Sequence, residues 1–518
     1  MPKTASPALF ELISSMSKSE KRYFKLFASR HTIGDENNYV KIFDFIESQQ
    51  SFNEEEIYEH FSGEAFLNKF SITKNRLYEQ IMRSLDSYYS NSSIDTQVHR
   101  LIHGAQILYN KGLYDHAKRQ LLSAEKLAEK NQRYLLLQQV NNQLRDIIET
   151  EGYRNHSEKD LEKIHHTDHL HREMQAYLGE LWILKSTLFM YMNQKGKSRS
   201  EGDLRFFQNL FSRYQNLKKP QKVSYEITYL ENHFESAYYF AIHDKQGSLD
   251  ALERNLRLMK KHDQMIVSSP NKYLSLLTNI IHLESAAGNF RKVHDLLKEL
   301  KFFTSNYNIP LNEDLEIKLF SSTFSTELML FIHKAEFDKA LSIEQEIIDG
   351  FKRFGEGITP LRKAYLAFNL AVANFGTNNF SRSLYWVNEI LNDGDLDQKE
   401  DIIAFAKILN LIIHYELKND QLLPYALKST ARFLKKRNRV YRFETVFLKH
   451  IRKISNADDR FEVEQVLKSI EQEIDEIASD PFESVAFEYF DFRSWLKSKI
   501  KNIPFSIAKR EAYLSNAS

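Results

Sequence analysis

The tripeptide Gly196-Lys197-Ser198 matches the last residues of a phosphate-binding loop, and it is the clearest partial motif for phosphate binding in this sequence. In such a loop another glycine lies five residues before the first of these three, so that backbone amides can wrap around the phosphates. That position is occupied by Tyr191. The sequence therefore gives no support to nucleotide binding, and we expect no nucleotide cofactor.

Histidines cluster only between residues 165 and 171. On a helix, His165 and His169 would lie one turn apart, and so would Glu162 and His166, which is a spacing that suits metal ligands. A solvated helix face accommodates neutral histidines equally well, and no general base lies at a fixed spacing from the cluster. We therefore expect no metal site here.

Other catalytic motifs are absent from the sequence. It contains no nucleophile elbow, no zinc-protease helix and no EF-hand loop, each of which has a fixed spacing. It also contains no cysteine, which excludes disulfides, thiolate metal ligands and cysteine nucleophiles. We therefore expect a protein that is not an enzyme and that has no catalytic, cofactor-binding or metal-binding residues.

The strongest charge pattern lies near the C-terminus. Residues 425–454 contain ten basic side chains and one acidic side chain, whereas residues 456–491 contain twelve acidic and two basic ones. Aromatic residues are interleaved with the basic ones, as in proteins that bind single-stranded nucleic acid. The candidate contacts to nucleic acid or another anion, all within the 428–453 block, are Lys428, Arg432, Lys435, Lys436, Arg437, Arg439 and Arg442.

Two interpretations of this charge pattern stay open. In the first, the basic 428–453 block is exposed and binds RNA or DNA. In the second, it and the acidic 456–491 block form neighbouring helices that neutralise each other. The net charge of +1 for the whole chain favours the second interpretation, because an isolated basic tail would have left a large net charge.

Residues 1–92 have the pattern of a separate helical unit. Ser17 and Glu20 have the spacing of a capping box, and Asn53 precedes three acidic residues that suit the first turn of a helix. A further helix is predicted to follow Thr73.

The end of this unit resembles a helix-turn-helix module, in which Lys74, Arg76 and Arg83 would face DNA. Residues 1–90 carry eleven basic and thirteen acidic side chains, however, and DNA-binding modules usually have a basic footprint. The other interpretation is a helical cap that covers the exposed end of a repeat array. Whether this unit binds DNA stays open.

Composition requires that most of the chain is helical. Its 518 residues include only 15 Gly and 9 Pro, and together these turn-forming residues make up about 5% of the chain instead of about 12%. A sandwich or a propeller is excluded on this ground. No apolar run reaches 18 residues and no signal peptide precedes the first helix, so we expect a cytoplasmic protein without membrane contact.

Pairs of helices with alternating small and large residues recur along the middle of the chain. In the first pair, Gly112 would open the turn and small residues would allow the two helices to approach closely. This stretch resembles a tetratricopeptide repeat (TPR), whose Gly-x-aromatic-x-x-Ala pattern falls on Gly112, Tyr114 and Ala117. The resemblance implies helix pairs stacked into an α-solenoid.

Related phrases follow at a period of about 43 residues, compared with 34 in a regular TPR. The residues that mark their turns and first helical turns are Gly247, Gly288, Phe290, Phe337, Ala340 and Phe380. Val293 and Ser383 stand where alanine is usual. These departures are compatible with stacked helix pairs, but they argue against a peptide-binding groove of the regular TPR type.

Two phrases in the first unit, residues 17–24 (SKSEKRYF) and 74–78 (KNRLY), are similar to those of helical proteins from Bacteroidota-type bacteria. This resemblance implies a bacterial helical protein and no particular activity.

The sequence thus predicts an all-α protein in three parts: a helical unit at 1–92, a TPR-like α-solenoid at 93–454 and a charged helical segment at 455–518 that docks on the last repeat. We expect a non-catalytic protein-interaction scaffold or adaptor that recognises a protein or peptide. The alternative is a nucleic-acid-associated protein that uses the basic 428–453 block.

Overall fold

The structure is a computed structural model that describes residues 7–29, 37–90, 93–154, 157–396, 401–436, 441–457, 460–480, 482–483 and 486–517. This part of the chain is all-helical and contains no strand, which confirms the predicted class. None of its helices combines the length and the apolar character needed to cross a membrane. The chain divides into two compact units, one of residues 1–176 with 220–222 and one of residues 177–219 with 223–518. The predicted bounds of the three parts stay a prediction.

In its described residues, the first unit contains eight α-helices and the beginning of a ninth. They are α1 (Ala8–Ser15), α2 (Lys18–Ser29), α3 (Asn38–Ser48), α4 (Glu54–His60), α5 (Phe70–Tyr88), α6 (Ile94–Asn110), α7 (Tyr114–Lys130), α8 (Tyr134–Thr150) and α9 (Glu158–Lys195). Its N-terminal core is apolar and aromatic, and the rings of Phe24 and Phe43 lie 4.6 Å apart, centre to centre.

Two helix starts in this unit are the predicted ones. The backbone N–H of Ser17 donates to the Glu20 carboxylate at 2.6 Å, and the N–H of Glu20 donates to Ser17 Oγ at 3.3 Å. Asn53 accepts from the N–H groups of the first turn of α4. The predicted start after Thr73 is wrong, because α5 begins at Phe70, whose buried ring packs edge-on against Tyr58.

The second unit contains the end of α9 and all later helices. They are α10 (Glu201–Gln215), α11 (Tyr225–Ala241), α12 (Lys245–Lys261), α13 (Gln264–Ser268), α14 (Pro270–Ala286), α15 (Phe290–Asn306), α16 (Glu313–His333), α17 (Phe337–Ser342), α18 (Glu344–Phe354), α19 (Pro360–Gly376), α20 (Phe380–Leu391), α21 (Asp401–Glu416), α22 (Leu423–Lys436), α23 (Arg442–Ser455), α24 (Arg460–Ala478), α25 (Ala486–Tyr489), α26 (Phe492–Lys501) and α27 (Phe505–Ala517).

One turn geometry recurs between helices in both units. A residue with positive φ is followed two positions later by the first residue of the next helix, and this occurs at Gly112, Gln132, His243, Gly288, Ala335 and Asn378. Only two of these six are glycine, although the left-handed conformation costs other residues roughly 1–2 kcal/mol. The turns therefore repeat in backbone shape more than in residue type.

The prediction that Gly247 marks such a turn is wrong. Gly247 lies in the first turn of α12, where its N–H donates to the side chain of Asp244 at 2.8 Å. The left-handed residue of this turn is His243, with a φ of 66°. A Cβ on Gly247 would come within 2.8 Å of the Tyr239 ring, so this glycine permits a close approach.

A small or β-branched residue is buried three positions after the start of the second helix in each of five pairs. These residues are Ala117, Ser248, Val293, Ala340 and Ser383. The hydroxyls of Ser248 and Ser383 donate to backbone carbonyls twelve residues earlier, at 2.9 and 2.7 Å. Serine can therefore replace alanine here, because its hydroxyl is satisfied by the neighbouring helix.

Helices that follow each other along the second unit also pack against each other. Contacts join α14 to α16, α16 to α19 and α19 to α21, while α15, α17 and α20 fill the places between them. A large apolar core continues from α16 to α27 and includes the fully buried Trp495. This succession of helices creates the surfaces described next.

Candidate interaction surfaces of the second unit

Residues from α9, α11, α12, α14, α16, α19, α21 and α25 line two cavities of about 510 and 170 Å³ in the second unit. We call the surface that the first seven of these helices contribute the shared face. Met192, Phe240 and His282 line both cavities. His282 is exposed to these cavities, and desolvation by the residues around it lowers the pKa of its imidazole, so the ring is neutral near pH 7.

The C-terminal segment, residues 486–517, lies against part of the shared face. The ring of Tyr489 stacks on Phe405 of α21 with centroids 4.1 Å apart, and Phe490 lies 5.3 Å from Phe375 of α19. Further along, Tyr513 lies 5.3 Å from Phe290. The segment therefore contacts several successive helices, so its docking extends beyond the last repeat.

An ion pair fixes the start of this segment. Lys197 donates to both carboxylate oxygens of Glu488, at 2.7 and 3.0 Å, and its ammonium lies 4.2 Å from the centre of the Phe240 ring. Burial on its own would raise the pKa of Glu488, but the charge of Lys197 outweighs this and holds that pKa below its usual value. The lysine of the Gly196-Lys197-Ser198 tripeptide thus has an internal carboxylate partner.

A buried arginine joins distant parts of the second unit. Arg199 lies 3.4 Å from both Glu444 and Glu483, and it donates to the backbone carbonyl of Phe482 at 3.1 Å. Glu483 also accepts from the N–H groups of Arg442 and Phe443 at the start of α23. Burial raises the pKa of Glu444, which Arg199 partly offsets. This cluster holds α23 in place.

Helix α9 carries large exposed apolar side chains, of which Phe189 lines the smaller cavity of the shared face. Trp182 is 60% exposed and Met190 is 59% exposed, and Phe189 beside them is exposed too. The chain has three tryptophans, and Trp386 and Trp495 are both buried. The sequence signal for this surface is the presence of apolar residues on several sides of α9, a pattern that no catalytic motif contains.

Polar groups of α9 and α11 border these apolar side chains. Lys185 lies between Trp182 and Phe189 in the helical register, and burial, together with the charge of Lys272, lowers the pKa of its ammonium. The Phe189 ring lies 5.3 Å from His233, and burial lowers the pKa of His233 to about 4. This surface therefore combines exposed apolar groups with a cation and a neutral imidazole.

The basic block divides between two helices with different surroundings. On α22, Lys428, Arg432, Lys435 and Lys436 are exposed, and no ion pair within the described part of the chain involves any of them. On α23, Arg442 pairs with Glu476 at 2.9 Å. Arg437 and Arg439 lie outside the described residues.

The acidic neighbour of α23 is α24. Glu473 of α24 lies 2.9 Å from His450 and 3.6 Å from Lys449. The two remaining basic residues of α23, Arg452 and Lys453, lie in its last turn, where the helix dipole favours cations. Mutual neutralisation of basic and acidic segments therefore applies to α23.

The predicted DNA contacts of the first unit have mixed surroundings. Lys74 pairs with Glu54 at 2.6 Å and is largely buried, whereas Arg76 and Arg83 are exposed on α5. Lys74 is thus held by Glu54, while Arg76 and Arg83 lie two turns apart on one side of α5. DNA binding by this unit stays a prediction.

The histidine cluster on α9 is not arranged as a ligand set. Asp168 is buried and pairs with Arg145 at 2.5 Å and with Arg172 at 2.9 Å, while His171 faces inward and burial lowers its pKa. Among the described residues, no group of three or more His, Asp or Glu side chains could hold a metal ion.

Comparison with known proteins adds no assignment. No protein-family model matches the chain, and no curated protein matches it. The proposals below therefore depend on the surfaces of the chain itself.

Proposed function

We propose that this chain is a non-catalytic interaction scaffold whose second unit is a TPR-like α-solenoid that binds a segment of a partner protein. The observation that carries the proposal is the exposed apolar surface of α9, formed by Trp182, Phe189 and Met190. An exposed tryptophan with other exposed apolar side chains on the same helix is typical of interaction sites, where tryptophan often dominates the binding energy.

The chemistry of the partner can be inferred from what already covers the neighbouring half of the shared face. There the chain's own segment offers aromatic rings to Phe405 and Phe375, and a carboxylate, Glu488, to Lys197. Helix α9 presents exposed apolar groups beside Lys185. We therefore expect the partner segment to be aromatic and acidic, like residues 486–491 of this chain.

The test uses a fluorescent peptide with the sequence of residues 486–492, Ala-Phe-Glu-Tyr-Phe-Asp-Phe, added to the full-length protein. Binding is measured by fluorescence anisotropy and by the change in tryptophan emission, to which Trp182 contributes as the exposed tryptophan. Combined Trp182→Ala and Met190→Ala should weaken binding by at least about tenfold, which corresponds to roughly 1.4 kcal/mol.

Phe302→Ala is the matched control, since Phe302 is 57% exposed on α15, outside the shared face. It should leave peptide affinity unchanged. Equal affinity of the α9 double variant and the natural protein would overturn the proposal, and so would a peptide that fails to bind at all.

A further inference from the structure

Helix α22 presents a stripe of one charge sign to solvent. Lys428, Arg432 and Lys435 follow each other at spacings of four and three residues, so they lie on one side of the helix. Lys436 lies beside the last of them. The 14 residues of α22 include no acidic side chain, and the stripe is therefore not compensated within its own helix.

Structural roles do not account for this stripe. The helix dipole favours Lys435 and Lys436, which lie in the last turn of α22, but it does not favour Lys428 and Arg432 further back. No ion pair in the described part of the chain involves any of the four. On neighbouring α23, by contrast, the bases of the earlier turns pair with carboxylates of α24.

An exposed aromatic ring begins the same stripe. Tyr425 is 76% exposed and lies three residues before Lys428, on the same side of α22. A ring so exposed contributes little to packing. Proteins that bind single strands without sequence preference combine such rings, which stack on bases, with cations that follow the phosphate backbone.

The length of the stripe suits a short stretch of nucleic acid. At a rise of about 1.5 Å per residue, Lys428 and Lys435 lie roughly 10 Å apart along the helix axis. If the strand keeps the repeat of about 3.4 Å that it has in duplex geometry, this length holds about three intervals and therefore about four phosphates.

We propose that α22 is a binding site for single-stranded nucleic acid, in which Lys428, Arg432, Lys435 and Lys436 contact phosphates and Tyr425 stacks on a base. This activity goes beyond the proposed scaffold function and is independent of it, because it uses a different helix. The chemistry shared by RNA and DNA is the phosphodiester chain with its exposed bases.

The test measures fluorescence anisotropy of labelled oligouridine and oligothymidine of about twelve nucleotides with the full-length protein. Four phosphate contacts predict a slope near −2.8 in log affinity against log salt concentration, since each contributes about −0.7 on a single strand. Lys428→Glu with Arg432→Glu should lower affinity by more than about tenfold at low salt and flatten this slope.

Tyr425 provides a separate signature. Tyr425→Ala should lower affinity by about tenfold with an unchanged salt slope, and Tyr425→Phe should restore it, because stacking needs the ring and not the hydroxyl. Lys339→Glu with Lys352→Glu is the control, since both lysines are exposed on α17 and α18. If the charge reversal disturbs folding, Lys428→Ala with Arg432→Ala is a milder second variant.

The oligouridine and oligothymidine arms distinguish RNA from DNA, and preference for either supports the site. The proposal is overturned if the α22 reversal leaves both affinities unchanged. It is also overturned if a polyglutamate peptide binds as tightly as the oligonucleotides and Tyr425→Ala has no effect, since α22 would then be a docking site for acidic proteins.

Discussion

Helices α22 and α23 are neighbours with similar basic composition and opposite electrostatic surroundings. On α23, bases of the earlier turns meet Glu473 and Glu476 of α24. On α22, four basic residues face solvent without an ion pair in the described part of the chain. Balanced charge totals over two sequence segments therefore do not mean that every basic residue in them is paired.

The difference extends to what lies beneath each helix. The first turn of α23 contains the buried Glu444, and Arg199 approaches it from a point 245 residues away in the chain. Described residues of α22 bury apolar side chains such as Leu427 and Leu434 on their inner side. Charge in α23 thus contributes to the fold, whereas charge in α22 remains available for a ligand.

The largest expected effect is on the arginine beneath α23. Arg199→Ala would leave Glu444 and Glu483 without their cation, and removing one partner of a buried ion pair costs about 3–5 kcal/mol of stability. Hydrogen exchange should then show faster exchange of the backbone amides of α23. Unchanged protection of α23 would mean that this cluster does not anchor the helix.

The matched control is Arg432→Ala on α22. Arg432 is exposed, so its removal should change the free energy of unfolding by no more than about 0.5 kcal/mol. Comparing the loss of stability in Arg199→Ala with that in Arg432→Ala shows how much more the fold depends on the charges at α23 than on those at α22.

An intermediate effect is expected between α23 and α24. Glu473→Ala would leave the ring of His450, which is 1% exposed, without its carboxylate partner. An unsatisfied buried group of this kind lowers the free energy of unfolding by about 1–3 kcal/mol. Urea unfolding measures this loss, because the midpoint moves to a lower urea concentration. Glu464→Ala is the control, because Glu464 pairs with Lys468 on the exposed side of α24 and should contribute about 0.3–0.5 kcal/mol.

This carboxylate also has a pH signature. Burial on its own would raise the pKa of Glu473, but hydrogen bonds from His450, with the charge of Lys449, outweigh it and lower that pKa. A lowered pKa in the folded state gives stability that is present above the ordinary glutamate value of about 4.3 and is lost as pH falls through the folded value. As pH falls through this range, the Glu473→Ala variant should therefore lose less of its free energy of unfolding than the natural protein does.

Local features of the fold could be predicted from the sequence, because caps and helix periodicity depend on residues a few positions apart. The Ser17 and Glu20 capping box and the Asn53 cap are both present. The position of the left-handed residue at His243 could not be predicted, because histidine is not a residue type that usually adopts positive φ. Glycine does so readily, and the sequence therefore pointed to the nearby Gly247 instead.

The surfaces were harder to predict than the helices. The number of basic residues indicates the basic block, but it does not show that the bases of α22 and α23 have different surroundings. That difference arises because α23 packs against the acidic helix α24. The pairs Arg199–Glu444 and Lys197–Glu488 join residues 245 and 291 positions apart, and no local pattern indicates them. Exposed Trp182 could have been suspected from the apolar residues on several sides of α9.

The smallest expected effect is on α22 itself. Lys428→Glu with Arg432→Glu should change the free energy of unfolding by no more than about 0.5 kcal/mol, because both side chains are exposed and lie away from the helix ends. Reversal of Lys435 and Lys436 should cost about 0.3–1 kcal/mol more, since acids oppose the dipole in the last turn. Urea unfolding followed by circular dichroism measures both variants. A large loss on reversal of Lys428 and Arg432 would show that the α22 stripe stabilises the fold, and the contrast with α23 would disappear.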